Sequence, residues 1–500
     1  MDNACEGPRI AIIGAGPGGI ASAVKLKEAG FENFTIFEKG AGVGGTWWHN
    51  RYPGLSCDVP SHLYSFSFHL RPTWSRAYAP QPEILAYMQE IAETFGIMRH
   101  VRLSTEIIAA EWDRNRSKWH LTLANSERET FDIVISAQGM FNGLRWPDIA
   151  GLESFEGTLF HSARWPAELS LAGKTVAVIG TAASAVQFVP RIAPEVGRLQ
   201  VYQRSPSWVL PKDDPVFDAE TLARRAADPA AVRQMRDDLY REMDSFCDWA
   251  SVQEEGFRLK CLENMAVVED PDLRRRLTPN YPWACARPLF SNEYYPTFNR
   301  RNVELATEGI REITPRGIID NIGWERPADI IICATGYQVD RFLSAIPVTG
   351  DAGLSITKAW ANGPKAYLGI MTSGFPNMFM LYGPNTNNGS LLYMIECQID
   401  YIVRHIRWME EQDLSWIDIR REVMDEYDTK LQAEIADVKI WTAGCHNYYR
   451  NAMGRNVTQY PHNMSAYTED TARADWDAFH CGQREPDVAT QRPLSMGARR

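Results

Sequence analysis

One pattern that strongly limits the fold occurs twice in this chain. RIAIIGAGPGGIASAV starts at Arg9 and KTVAVIGTAASAVQ at Lys174. Each reads as a short apolar strand, a turn that starts at glycine, and a helix rich in small residues. A further apolar run follows each helix, Phe34–Phe37 after the first and Leu199–Tyr202 after the second. Strand, turn, helix and strand in that order bring the second strand back parallel to the first. Two such units predict two parallel sheets in a chain of 500 residues, which is too long for one ordinary domain.

The stretch between Asp214 and Arg276 is charged and poor in strand formers, and it reads as a helical insertion. ADIIICA at Ala328–Ala334 is a further buried strand, and Phe379–Tyr382 runs into the polar loop GPNTNNG. Met394–Glu411 has the spacing of a helix with an apolar face, and the tail from about Glu469 is polar. The expected domains are 1–145, 146–330 and 331–500, with the last returning to complete the first.

Net charge −11 excludes a general nucleic-acid binder, since a phosphate backbone would be repelled. No apolar run approaches the roughly 18 residues of a membrane span. The nine cysteines are scattered and free of CxxC spacing, which predicts free thiols, a reducing compartment and a cytoplasmic protein. No cluster has metal-ligand spacing, and neither GxSxG, HExxH nor a P-loop occurs.

The first loop, Gly14-Ala15-Gly16-Pro17-Gly18-Gly19, has a glycine at each position where the GxGxxG pattern needs one. Gly14 allows the turn, Gly16 lets backbone approach a diphosphate, and Gly19 lets helix pack on strand. The new helix offers free N–H groups to that diphosphate. Glu38 ends the second strand, where a carboxylate accepts both hydroxyls of an unphosphorylated ribose. FAD or NAD fits that acid and NADP does not. The following GVGGTWWHNRYPG, with a second glycine pair before Thr46 and Trp47, favours FAD.

The second loop, Gly180-Thr181-Ala182-Ala183-Ser184-Ala185, is placed alike but has alanine at the second and third glycine positions. The third tolerates a methyl, whereas at the second it stands where a diphosphate approaches. Arg204 ends the next strand where the first unit has an acid, and an arginine there can pair a 2′-phosphate. The second dinucleotide is therefore expected to be NADPH. The fold class expected is α/β, with two Rossmann-like dinucleotide-binding domains, for FAD and NADPH, and a helical insertion.

Between the units stands FEGTLFHSARWP. Phe155-x-Gly157-x-x-x-His161-x-x-x-Trp165-Pro166 resembles the FxGxxxHxxxWP fingerprint of type I Baeyer–Villiger monooxygenases, class B flavoprotein monooxygenases related to the flavin-containing monooxygenases. CDVPSHLYSFSF, WSRAYAPQPEILAY, YQRSPSWVLP, RPLFSNEYYPTFNRRNVEL, CATGYQVD and GPNTN are similar too, in the family's order, from about residue 10 to about 465. The resemblance implies one oxygen of O2 inserted beside a ketone carbonyl, through a C4a-peroxyflavin, to give an ester or lactone. It implies Arg287 as the active-site arginine, with Asp58 as its carboxylate partner beside the flavin. It further implies FAD contacts at Gly45, Thr46, Trp47, Asp58, Tyr64 and Ile107, and NADPH contacts at Gly180, Thr181, Ala182, Ser184, Ala185, Arg204 and Ser205. The fingerprint would lie on the linker between the domains, with His161 a hinge-side residue.

This chain departs from the family's pattern at Ala286, where a lysine usually precedes the arginine, and at Asn447-Tyr448, where relatives often carry Ser-Trp. Two other readings keep part of the evidence. An oxygenase of amines or sulfides would use the same flavin chemistry, and Trp165 and Arg287 argue against it. A nucleotide-binding sensor with impaired flavin reduction would account for Ala182 and Ala286 but not for Asp58 and Arg287.

Overall fold

The computed structural model describes residues 7–444 and 447–483. The first sheet has five parallel strands in the order Met378–Met380, Ile133–Ser136, Ile10–Ile13, Phe34–Phe37, Val101–Arg102. Ile10 stands level with both Phe34 and Ile133. Ile10–Ile13 and Ile133–Ser136 are buried throughout, as uninterrupted apolar runs must be when helices cover both faces. Met378–Met380, from the last third of the chain, pairs in parallel with Ile133–Ser136 in this sheet.

The second sheet is also five-stranded and parallel, in the order Val303–Ala306, Arg198–Tyr202, Thr175–Ile179, Ile330–Cys333, Thr158–His161. Two expectations shift here. Ile330–Cys333 is an interior strand of this sheet, so the chain leaves the second unit after Cys333 and not at residue 330. Residues 158–161 of the fingerprint pair with Ile330–Cys333 as the sheet's edge strand, so the fingerprint is built into the second unit and is not a linker. Burial rises along this strand, from exposed Thr158 to buried Phe160 and His161.

The true connection is a two-stranded crossing. Leu144 bridges Tyr337, Arg145 N–H donates to the Gly336 carbonyl at 2.9 Å, and Gln338 N–H donates to the Gly143 carbonyl at 2.9 Å.

The insertion holds four helices: Ala219–Ala227, Pro229–Phe246, Glu254–Met265 and Pro271–Leu277. Asp218, Asp228 and Asp270 cap three of them through their side chains. Pro229–Phe246 is fixed to Leu391–Glu411 of the first unit by Arg236, which approaches Glu396 to 3.3 Å. Both residues are buried, and Ser67 donates two further hydrogen bonds to Glu396, at 2.9 and 2.6 Å. A buried ion pair whose carboxylate also accepts these bonds is specific about position, whatever its net contribution.

No helix among the described residues is long and apolar enough to cross a membrane. Six described cysteines are free thiols, but Cys285 is disulfide-bonded, which corrects the expectation that all are free.

Candidate active site

The first loop is cramped in the way its glycines predict. A Cβ on Gly19 would fall 1.9 Å from the Gly14 carbonyl oxygen. Gly45 has φ +56, and a Cβ there would lie 2.7 Å from the Gly16 Cα. Gly44 N–H donates to the Ala15 carbonyl at 2.9 Å, so the second glycine pair docks on the first loop and the two form one glycine-walled slot. Helix Pro17–Glu28 opens into that slot with no side-chain cap, unlike three helices of the insertion. Its first N–H groups have no partner within the helix and are free for a diphosphate.

Glu38 is buried at the strand end. Its carboxylate accepts from Ala15 N–H at 2.8 Å and from Gly40 N–H at 2.6 Å, which fixes its orientation at the loop. Thr46 and Trp47 start the short helix Thr46–His49, and Trp47 Nε1 donates to the Tyr64 hydroxyl at 3.1 Å. Ile107 is buried at the start of the antiparallel strand Ile107–Asp113.

The second loop has the same first glycine and looser surroundings. Gly180 has φ +110, and a Cβ there would lie 2.5 Å from the Ala334 carbonyl oxygen. Helix Ala183–Ile192 also starts without a side-chain cap, at Ala182, whose methyl is exposed. Ala185 is buried against the sheet, and Ser184 bonds the Tyr52 hydroxyl. Thr181 Oγ1 donates to the Ser205 carbonyl at 3.2 Å, closing the loop onto the following strand end. Arg204 is exposed there and makes no ion pair with a described residue.

His161 Nδ1 accepts from Ala163 N–H at 3.1 Å, so Nε2 carries the proton and donates to the Gly336 carbonyl at 3.1 Å. Gly336 belongs to the two-stranded crossing, which places His161 against the junction of the units. Trp165 packs on Phe160 and Phe188, and Phe188 meets Tyr52 of the first unit. A Cβ on Gly157 would lie 2.5 Å from the Asp329 carbonyl oxygen and 2.6 Å from the Phe155 ring, so only glycine passes there. Pro166 ends the fingerprint where the chain leaves the sheet edge.

Asp58 and Arg287 are 229 residues apart in sequence, and Arg287 Nη2 donates to Asp58 Oδ2 at 2.5 Å. Their side chains stay partly accessible, Arg287 at 37% and Asp58 at 28%. Burial works to raise the Asp58 carboxyl. The charge and hydrogen bond of Arg287, backed by Lys212, outweigh it and hold the group below the usual carboxylate range. Asp58 in turn keeps the guanidinium more firmly protonated than an ordinary arginine.

Sequence reasoning missed two neighbours of this pair. The Tyr448 hydroxyl is hydrogen-bonded to Arg287, and the adjoining Asn447 donates to the Cys285 carbonyl at 2.7 Å. The C-terminal loop is thereby tied to the arginine segment at two points. The other is Lys212, in the strand-end sequence LPKDD, whose only sequence signal is a lysine among aspartates.

Two glycine-started helix N-termini, one beside a buried acid and one beside an exposed arginine, together with an ionised Arg–Asp pair, mark a two-dinucleotide oxidoreductase. Comparison with known proteins narrows the class. The family described as pyridine nucleotide-disulphide oxidoreductase matches residues 11–224. A Baeyer–Villiger monooxygenase of Pseudomonas aeruginosa is 40% identical over 480 residues, 94% of this chain and 91% of the relative. One from Streptomyces coelicolor is 37% identical over 99% of this chain and 95% of its own. Among solved structures, cyclohexanone monooxygenase from Rhodococcus sp. Phi1 bound to NADP+ superposes with a TM-score of 0.87 at 30% identity, covering 95% of this chain and 99% of that one. The chain belongs to the Baeyer–Villiger monooxygenases.

Proposed function

We propose that this protein is an FAD- and NADPH-dependent monooxygenase that inserts one atom of O2 beside the carbonyl of a small-molecule ketone, giving an ester or lactone. The observation that carries this is the 2.5 Å Asp58–Arg287 pair in a chain that also presents two uncapped, glycine-started helix N-termini. The glycine-walled slot, Glu38 and the Trp47–Tyr64 wall fit FAD. The uncapped start of Ala183–Ile192 and the exposed Arg204 fit a nucleotide with a 2′-phosphate. Bound flavin, reduced by the nicotinamide, supplies the activated oxygen.

The chain's own groups do the rest. The Arg287 guanidinium, fixed by Asp58 and Tyr448, sits preorganised for the negative charge that develops on oxygen as the ketone is converted. The aromatic chain Phe257–Trp283–Trp249–Trp441–Tyr449 leads from the insertion to Tyr448.

The test is product analysis with Arg287→Ala, using cyclohexanone as probe. Lactone formation is expected to fall by about 10²–10³ on the scale of lost oxyanion stabilisation, with FAD content unchanged. Lactone at the wild-type rate would remove Arg287 from the reaction.

A further inference from the structure

Asp58 belongs by sequence to the flavin unit, yet residues of the nicotinamide unit hold the segment that carries it. Lys212 follows the strand Val209–Leu210, and its Nζ donates to Ser56 Oγ at 2.8 Å and to the Cys57 carbonyl at 3.0 Å. Gln187, on Ala183–Ile192, donates to the Ser56 carbonyl at 3.0 Å and accepts from Ser56 N–H at 3.4 Å. The two residues before Asp58 are thus gripped from two sides.

Lys212 is itself pinned. Its N–H donates to Asn292 Oδ1 at 2.8 Å, Asn292 Nδ2 donates to its carbonyl at 2.7 Å, and its ammonium lies 4.8 Å from the Tyr78 ring centroid. This is not how a solvated surface lysine behaves.

Charge gives the arrangement a purpose. The groups facing Asp58 are Arg287, Lys212, Cys57, Tyr52, Tyr64, Tyr78 and Tyr382, of which Arg287 and Lys212 are the cations. Those facing Lys212 are Asp214, Asp58, Cys57 and Arg76. Asp214 is already bonded by Arg76 at 2.9 Å and by Tyr78 N–H at 3.0 Å. Arg287 and Asp58 alone sum to zero, and the next residue, Ala286, adds no charge. With Lys212 the cluster is net positive, which is what a developing oxyanion requires.

We propose that Lys212 is a positioning residue for the oxygenation, anchoring the Ser56–Cys57 backbone from the nicotinamide unit and sharing Asp58 with Arg287 so that the site keeps a net positive charge. The inference rests on the function proposed above. It predicts that losing the ammonium diverts oxidised NADPH from ester to hydrogen peroxide.

The experiment measures ester and peroxide per NADPH oxidised, from about pH 7 to 10, for the wild-type holoenzyme and for Lys212→Met, Lys212→Arg and Ser56→Ala. Lys212→Met should release several-fold more peroxide, Lys212→Arg should restore most of the coupling, and Ser56→Ala should lie between wild type and Lys212→Met. Burial lowers the Lys212 pKa, against the pull of Asp214 and Asp58. Wild-type coupling should therefore decline at alkaline pH before an ordinary lysine titrates, while Lys212→Arg keeps its coupling there. If Lys212→Met fails to fold, that wild-type against Lys212→Arg comparison decides.

Wild-type coupling in Lys212→Met overturns the proposal, as does Lys212→Arg uncoupled to the level of Lys212→Met, or Ser56→Ala equal to it. If the wild-type protein gives no ester from any ketone, the oxygenation reading and this inference fall together. If it does, the variants decide the inference alone.

Discussion

The two glycine loops begin alike and end differently. Gly14 and Gly180 share a positive φ and each has a carbonyl oxygen, of Ala137 and Ala334, where a Cβ would go. Beyond that the first loop is closed in: Gly45 backs onto Gly16, Gly19 leaves no room for a methyl, and Glu38 is held by two backbone N–H groups. In the second, an exposed Ala182 replaces the middle glycine, Ala185 fits in place of the last, and Arg204 stands exposed, with no ion pair to a described residue. On the function proposed above, the difference is that expected between a site built around a resident group and one that admits and releases a nucleotide. A group that stays can be enclosed, while one that must leave is better met by an open end and a charge.

That contrast breaks most sharply at the third glycine. Gly19→Ala should leave the purified protein without stoichiometric FAD, or without a soluble fold, as measured by flavin absorbance per chain. Ala185→Gly should leave flavin content unchanged. Arg204→Ala should raise the half-saturating NADPH concentration by about 10- to 100-fold, on the scale of charge-assisted hydrogen bonds, with NADH unaffected. Ala182→Gly should sharpen the second site by restoring backbone approach, tightening NADPH by an amount on the order of two- to fivefold.

The smallest effect concerns the junction. Burial, together with the charge of Arg164, lowers the His161 pKa, against the opposing bond to the Gly336 carbonyl. The folded value therefore lies below the unfolded one near 6.5, and the unfolded chain binds the proton first. Stability from this group is full above that value and is lost as pH falls below it toward the folded pKa. His161→Asn should flatten that part of the acid dependence in thermal unfolding below pH 6.5.

Local chemistry made much of this legible. The strands, both loops and Glu38 lie within short windows where periodicity and glycine spacing speak directly. The insertion was visible because AETLARRAADPAAVRQMRDDLYREMDSF carries helix formers and charge with no strand period. The Asp58–Arg287 pair came from the resemblance alone, since nothing local links residues 229 apart. Lys212 and Gln187 stayed hidden for the same reason, because their partners Ser56 and Cys57 lie on the other unit. The fingerprint was misplaced because TLFH is too short to declare itself a strand until Ile330–Cys333 pairs with it.

The most direct test of a closed flavin site served by an open, phosphate-reading nicotinamide site is anaerobic flavin reduction, followed by absorbance against NADPH and then NADH. The account predicts that both bleach the flavin at saturation, with NADPH half-saturating at a concentration at least about tenfold lower. Equal concentrations for the two would contradict the role given to Arg204. A flavin that dithionite bleaches and neither nucleotide does would contradict the second site altogether.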